Sequence, residues 1–443
     1  MSTQRTMWNA QMEAIAPPDQ RVMEREKLAR QLEYVYAGSP FYQRKFRDAN
    51  LTLKDIRNPE DLSRLPVTTK AELAESQERD PPFGEYLAAP RELVSTVHRT
   101  SGSTGRFIYT VLTKNDMDQT TEVGARVFWA GGLRPHHTVV ACMNYTLWMG
   151  GYTDHRNLER TGASVVPYGV GNSRRLVRVI QELEVDAIWS TPSYPNRLEH
   201  VVREELGIEP RELNMKLGVF GGEPGLGIPG FREHIEETWG IRASNVYGLA
   251  DSMCDLASVC DEVYELHIVS QGALLAHIID PSTGEDLPVE EGVSGELVLT
   301  NLEREAQPLI RYRTRDLIEI TGVEPCGCGR TGFRFSVAGR SDDMLHVKGI
   351  NVFPSGIAEV LNTLKPDVTG EFQVVLSHPG PYGELDITVE SGRDTGPDAE
   401  ALSRRIEGKI RQVLTFSSRV RLVPPGTIPL TEFGKVLRVA KKY

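Results

Sequence analysis

Thr100-Ser101-Gly102-Ser103-Thr104-Gly105-Arg106 interleaves hydroxyl side chains with glycine and closes on a cation. Glycine lets a backbone approach a ligand closely and turn its amides toward oxygen, while Ser and Thr add hydroxyl donors. The stretch is therefore a candidate polyphosphate cradle. It is not a Walker loop, since the G-x-x-x-x-G-K-[ST] spacing is absent and its cation is Arg106. A Ser/Gly/Thr cluster between strands is equally an ordinary surface turn, so the decision lies in what surrounds it.

The chain has 443 residues, more than one core usually supports, and 40% of them are apolar, so two domains with a large buried core are expected. Sixty-one acidic against 50 basic residues give a net charge of −11, which argues against a general nucleic-acid or anionic-membrane partner. Met1-Ser2-Thr3-Gln4-Arg5 leads into a polar segment without an apolar h-region, and no run of about 18 apolar residues occurs. Secretion and membrane spanning are not expected; a cytoplasmic location is. Five cysteines are too few for a disulfide framework in so long a chain and point to a reducing compartment with metal or incidental roles.

Apolar Val22, Leu28, Leu32, Val35 and Tyr36 recur at helical spacing, predicting a packing helix over about 7–48 with a break at Gly38-Ser39-Pro40. From about 90 to 300, short β-rich runs at 138–142, 163–166, 187–189 and 217–220 alternate with helical stretches at 173–184 and 230–239. That alternation predicts an α/β fold, a mixed sheet covered by helices. Gly295–Thr300 followed by Leu309–Tyr312 reads as an antiparallel closing part. After Gly339 the pattern becomes that of a compact unit. It has a strand to about 348, a helix from Ser355 to about 363, strands at 372–377 and 384–390, a helix at 397–414 and a final strand. The domain boundary is placed near 339–342, giving domains 1–338 and 339–443.

Four further segments follow the loop in order: Tyr247-Gly248-Leu249-Ala250-Asp251, Tyr312-Arg313-Thr314-Arg315-Asp316, Gly339-Arg340-Ser341-Asp342-Asp343 and Gly434-Lys435. Ser39-Pro40-Phe41-Tyr42, Leu65-Pro66-Val67-Thr68-Thr69-Lys70, Thr191-Pro192-Ser193-Tyr194, Gly221-Gly222-Glu223-Pro224 and Val347-Lys348-Gly349-Ile350-Asn351-Val352-Phe353-Pro354 stand in register with them. With these segments the chain resembles, along essentially its whole length, the phenylacetate–CoA ligase group of adenylate-forming enzymes. The resemblance implies a large adenylate-forming N-terminal domain of mixed sheets and helices and a small mobile α+β C-terminal domain. It also implies ATP-dependent activation of an aromatic or related carboxylic acid to an acyl-adenylate, followed by transfer to coenzyme A.

Attack of a carboxylate on ATP needs a phosphate cradle, a divalent cation, a cation at the reacting centre and a ribose anchor. The resemblance gives the cradle to Thr100, Ser101, Gly102, Ser103, Thr104, Gly105 and Arg106, with Arg106 where the family has Lys; that keeps the charge but changes the geometry. It puts Gly222, Glu223, Pro224, Tyr247 and Gly248 around the nucleotide, Asp316 on the ribose hydroxyls and Arg340 beside the nucleotide. Lys435 is the lysine implied to bridge substrate carboxylate and α-phosphate, although composition alone reads it as part of a solvated tail. Asp342 matches the hinge of a rotating C-terminal domain, and Gly349 the channel for coenzyme A. Asp251 stands where the family has Glu and is the candidate Mg²⁺ ligand; a shorter acid leaves room for a bridging water. A substrate-facing or structural acid is its other reading.

Cys260, His267, Cys326 and Cys328 form C-x6-H and, roughly sixty residues later, C-x-C. Four N/S ligands suit tetrahedral zinc, although the first spacing is loose and the second tighter than usual. The resemblance implies a structural Zn²⁺ here, tying the loop after Asp251 to the region after Asp316. Cys142 and Cys254 read as incidental. For the acyl pocket, Asn144–Gly151 aligns with an aromatic, glycine-rich segment of the family, so Tyr145 and Trp148, with Tyr247, are candidate walls for a planar acid or else core residues. Within the superfamily the acceptor is coenzyme A or, in the rival reading, a carrier-protein thiol, an amine or another nucleophile. A catalytically degenerate zinc-binding scaffold is the reading from another class, and assembly as a homodimer stays open.

Overall fold

The computed structural model describes residues 6–100, 108–223, 225–343, 345–348, 350–380, 382–392, 399–430 and 436–443. The loop residues Ser101–Arg106, together with Pro224, Gly349 and Lys435, lie outside the described residues. The chain divides into two compact units: Met1–Gly222 with Thr238–Ser336, and Glu223–Glu237 with Val337–Tyr443.

In the first unit, five parallel strands stand in the order Ser164–Pro167, Thr138–Ala141, Ala187–Ser190, Leu217–Phe220, Arg242–Leu249. Ala187–Ser190 and Leu217–Phe220 are buried at every position, as strands covered on both faces must be. The sheet continues through Met253–Ser258, Leu266–Ile268, Arg334–Arg340, Tyr312–Gly322, Ser294–Asn301, Leu274–Ile279 and Asp286–Leu287. The pairs within this half that involve Ser294–Asn301 are antiparallel. Tyr312–Gly322 mostly alternates buried with more exposed positions, the pattern of a strand with one face on a core.

The N-terminal helix breaks at Gly38-Ser39-Pro40 as expected, but a further, unexpected break leaves three pieces, Ala10–Glu13, Pro17–Gly38 and Pro40–Asp48. Proline opens the second and third, and the Ser39 side chain accepts from the Tyr42 amide to start the third. Leu28, Leu32 and Val35 join Phe41, Tyr42 and Phe46 in the core, whereas Val22 and Tyr36 are exposed at 47% and 40%. The strand expected from Leu309 begins only at Tyr312, because Arg311 is left-handed (φ 51°) and the Ile310 amide donates to the Tyr42 hydroxyl instead of a ladder.

The second unit holds a four-stranded sheet in the order Ser418–Val423, Leu385–Ser391, Val368–Leu376, Val439–Lys441, its central pair antiparallel and its outer pairs parallel. Helices Pro354–Asn362 and Ala399–Leu414 supply Ile357, Val360, Ile406 and Ile410 to a core with Phe372 and Ile387. A hairpin of Leu345–Val347 with Ile350–Val352 stands where one strand was read, and two strands stand after the last helix where one was read. No helix among the described residues is long and apolar enough to cross a membrane.

Candidate active site

The parallel strands create a natural crevice. From Thr138–Ala141 the chain moves outward to Ser164–Pro167 on one side, then returns to Ala187–Ser190 on the other. Open α/β sheets bind ligands beyond the carboxyl ends of their strands at such a switch point. Asn144–Trp148 leave the first of the flanking strands and Thr191–Tyr194 the second. Gly221 and Gly222 follow Leu217–Phe220, and Tyr247-Gly248 end the last parallel strand. The Arg99 amide, one residue before the phosphate-loop candidate, donates to the Leu147 carbonyl at 2.7 Å, so the acyl-loop candidate is tied to the entry of that loop. Thr100 is buried, and its amide donates to Ile108 O at 3.0 Å.

Tyr247 and Asp316 meet: the Tyr247 hydroxyl donates to Asp316 Oδ2 at 2.6 Å. The Tyr247 ring packs edge-on against buried Phe335, centroids 5.5 Å apart, and the Asp316 amide bonds Thr314 Oγ1 at 3.0 Å. Asp316 is thus a nearly buried residue whose carboxylate is held by the Tyr247 hydroxyl and whose backbone amide is held by Thr314. At Gly248 an added Cβ would lie 1.7 Å from the Cys254 carbonyl oxygen, so this position admits no side chain.

Asp251 sits in the tight turn between Arg242–Leu249 and Met253–Ser258. Asn301 Nδ2 and the buried Arg304 guanidinium both donate to the Ser252 carbonyl at 3.2 Å, fixing the turn. The Asp251 side chain is 6% exposed; its Oδ1 has no hydrogen bond but lies 3.4 Å from Lys70 Nζ. A buried carboxylate oxygen without a donor fits a hard cation, so the residues are compatible with magnesium. Lys70 is a neighbour that the motif reading did not assign.

Around the acyl-loop candidate, Tyr145 Oη and His155 Nδ1 are 3.1 Å apart, and burial followed by Asp154 pushes the Tyr145 phenol up to about 12. Trp148 is buried over Gly150 and precedes the helix Met149–Arg160. An added Cβ at Gly151 would lie 2.1 Å from the Asn144 carbonyl oxygen, so a glycine is required for the turn to close. In the second unit Arg340 and Asp342 pair with each other through two contacts, 2.9 and 3.0 Å, each about one-third exposed. Glu223 is half-buried at the start of that unit's first segment.

Cys260, His267, Cys326 and Cys328 converge, all four ligand atoms lying within 4.8 Å of one another. Cys260 and Cys326 sulfurs are 4.0 Å apart, and Cys328 Sγ is 3.8 Å from His267 Nε2. A tetrahedral zinc with bonds of about 2.3 Å needs sulfur–sulfur edges of about 3.8 Å, so the set fits the ion. His267 Nδ1 lies 3.1 Å from the Glu265 carbonyl, which turns Nε2 toward the thiols. The Cys328 thiol is pushed down, first by the Cys260 thiol donating to it and then by His267 and Arg330. Arg330 in turn pairs with buried Glu13 at 2.8 Å, anchoring the first helix beside the cluster.

The Cys254 thiol donates to Asp154 Oδ1 at 2.9 Å, and Asn157 Nδ2 donates to Asp255 Oδ2 at 2.8 Å. Burial pushes both carboxyls up, Asp255 to about 6, and the charge of Asp255 raises Asp154 further. Cys142 lies in the apolar core, where burial raises its thiol.

Residues 349–442 match the AMP-binding enzyme C-terminal domain model. The chain is 36% identical to a phenylacetate-coenzyme A ligase of Thermus thermophilus over 98% of this chain and 99% of that one. It is 32% identical to a phenylacetate-coenzyme A ligase of Escherichia coli over 97% and 96% of the two chains. The crystal structure of 2-hydroxyisobutyryl-CoA ligase in its postadenylation state with 2-HIB-AMP matches at a TM-score of 0.90, with 29% identity, over 100% of this chain and 93% of that one. Sequence likeness over nearly the full length and a shared fold agree with the loop chemistry at the sheet edge: this chain belongs to the phenylacetate–coenzyme A ligase family and is an AMP-forming acid–CoA ligase.

Proposed function

We propose that the acid is aromatic or closely related, activated at the carboxyl edge of the parallel strands and passed to coenzyme A. The supporting observation is that the Asn144–Trp148 loop and Tyr247, which holds Asp316, stand at the carboxyl ends of parallel strands of one sheet, with Asp251 in the turn after the last of them. In this reading Asp316 accepts from the ribose hydroxyls while Tyr247 fixes its carboxylate. Thr100, Ser101, Thr104 and Arg106 cradle the phosphates, Gly222, Glu223 and Pro224 line the adenine, and Arg340 stands beside the nucleotide. Magnesium held by Asp251 offsets phosphate charge when bound. A carboxylate oxygen of the acid attacks the α-phosphorus, the bond to pyrophosphate breaks, and Lys435 neutralises the charge gathered between them. Rotation about Asp342 then brings the segment at Gly349 to the coenzyme A channel; the thiolate sulfur attacks the acyl carbon and AMP departs. Residues 1–338 form the ATP- and acid-binding domain and 339–443 the mobile one, in an enzyme of the cytoplasm with a structural zinc.

A panel of acids in ATP–pyrophosphate exchange tests the substrate class. Arylacetic and benzoic acids are expected to support exchange best. A small hydroxy acid is the second reading, favoured by the likeness to 2-hydroxyisobutyryl-CoA ligase, and preferential exchange with such acids would replace the aromatic assignment.

Asp251→Asn is expected to raise the magnesium needed for half-maximal exchange on the order of tenfold or more, because the ligand loses its charge, while Asp251→Glu stays active. Titrating exchange against magnesium checks this, and an unchanged requirement in the Asn variant would return Asp251 to a structural or substrate-facing role.

A further inference from the structure

The reaction assigns no task to Leu65-Pro66-Val67-Thr68-Thr69-Lys70, yet the segment is held by several hydrogen bonds. The Thr68 amide donates to Arg311 O at 2.7 Å, the Arg313 amide donates back to Thr68 O at 2.9 Å, and Thr68 Oγ1 donates to Ile310 O at 2.8 Å. The segment is thereby stapled to the start of the strand that carries Asp316. Lys45 Nζ holds the Val67 carbonyl and the Glu72 carboxylate, each at 2.7 Å. A capping box between Thr69 and Glu72 then starts the helix Lys70–Arg79, with Lys70 as its first residue.

A helix N-terminus is the positive end of the macrodipole, so a lysine there is unfavourable unless an anion compensates. Glu72 in the same turn is engaged by Thr69 and Lys45, and the anion that faces Lys70 is Asp251, 3.4 Å from Lys70 Nζ, with an Oδ1 that has no hydrogen bond. The pair is asymmetric: the carboxylate is 6% exposed and fixed by its clamped turn, whereas the ammonium is 27% exposed on a flexible stem. At 3.4 Å the contact is an ion pair longer than a good hydrogen bond, suited to neutralising a buried charge and to being exchanged.

We infer that Lys70 is the resting counter-cation of Asp251, and that a divalent cation has to displace it, so the enzyme takes up metal together with nucleotide in preference to metal alone. The inference rests on reading Asp251 as the magnesium ligand. An ammonium and a dication cannot both sit against one carboxylate oxygen without strong mutual repulsion. In the absence of nucleotide the displaced ammonium has lost its anion and metal binding is weak. Phosphate oxygens arriving with the metal give it a new one, which couples the two binding events.

Mn²⁺, a hard cation that prefers oxygen to the Cys/His cluster, is a suitable probe. Free Mn²⁺ is measured by electron paramagnetic resonance during titration of the full-length protein, with and without a nonhydrolysable ATP analogue. Without nucleotide, Lys70→Gln is expected to bind Mn²⁺ about tenfold more tightly than the parent, as loss of one competing ion contact would give. Lys70→Arg, which keeps the charge, should resemble the parent, and Asp251→Asn placed in the Lys70→Gln background should abolish the gain. With the analogue the advantage of Lys70→Gln should shrink. Unchanged or weaker nucleotide-free binding in a folded Lys70→Gln protein overturns the exchange. If Asp251→Asn alone leaves Mn²⁺ binding with the analogue intact, it is the Asp251 reading that fails instead.

Discussion

Lys435→Ala is expected to lower the rate of adenylate formation by about 10²–10³ while leaving the thermal unfolding curve unchanged. The lysine acts on charge that develops between the substrate carboxylate and the α-phosphate. Removing one preorganised group of this kind typically costs a factor of that size. Lys435 lies outside the described residues, and its assignment rests on the Gly434-Lys435 match within a chain whose residues 349–442 fit the AMP-binding enzyme C-terminal domain. Acid-dependent pyrophosphate exchange near the parent rate in purified Lys435→Ala would remove this lysine from the chemistry. A second assay separates its role further: preformed acyl-adenylate should still be converted to thioester by the variant, because the thiol step does not use the charge that Lys435 supplies.

The second large effect is on stability. Freshly purified protein should carry about one zinc per chain, and Cys326→Ser should lose it and melt lower by roughly 10 °C, since metal binding is coupled to folding free energy. Three thiols and an imidazole within 4.8 Å form a set that fits a tetrahedral zinc ion. The cluster joins the segment after Met253–Ser258 to the segment after Tyr312–Gly322, so its loss should loosen the turn at Asp251 and the strand at Asp316 together. Elemental analysis of unchelated protein without zinc, or a Cys326→Ser protein that melts with the parent, would remove the metal. Residual exchange by the variant at low temperature is expected, since none of the four ligands touches the reacting atoms in this account.

The sequence made four of the five parallel strands legible because they are short, β-branched or apolar runs, and two of them, Ala187–Ser190 and Leu217–Phe220, are buried at every position; Arg242–Leu249 carries no such plain run. The break at Ser39 was equally plain, since proline and a capping hydroxyl are local signals. What stayed hidden was set by contacts distant in sequence. Tyr312 opens its strand because Arg311 turns left-handed and Tyr42 takes the Ile310 amide, which no window around 309–312 contains. Val22 stands six residues before Leu28, about 240° round a helix of 3.6 residues per turn, so it leaves the face that Leu28 and Leu32 bury. At the site, the motifs named Tyr247 and Asp316 separately, and only folding shows one hydroxyl held on the other's carboxylate at 2.6 Å. Lys70 has no role legible in its own segment because its partner lies 181 positions further along. The partner of Cys254 is hidden for a similar reason: the carboxylate that accepts its hydrogen bond is Asp154, on another element.

The measurement that bears most directly on the central claim follows ATP, acid and coenzyme A through both half-reactions in one preparation. With acid present and coenzyme A absent, labelled pyrophosphate should enter ATP. On adding coenzyme A, one AMP should appear for each thioester formed. Release of ADP, or thioester formation without any acid-dependent pyrophosphate exchange, would contradict an adenylate intermediate; vigorous exchange that never consumes coenzyme A would contradict coenzyme A as the acceptor.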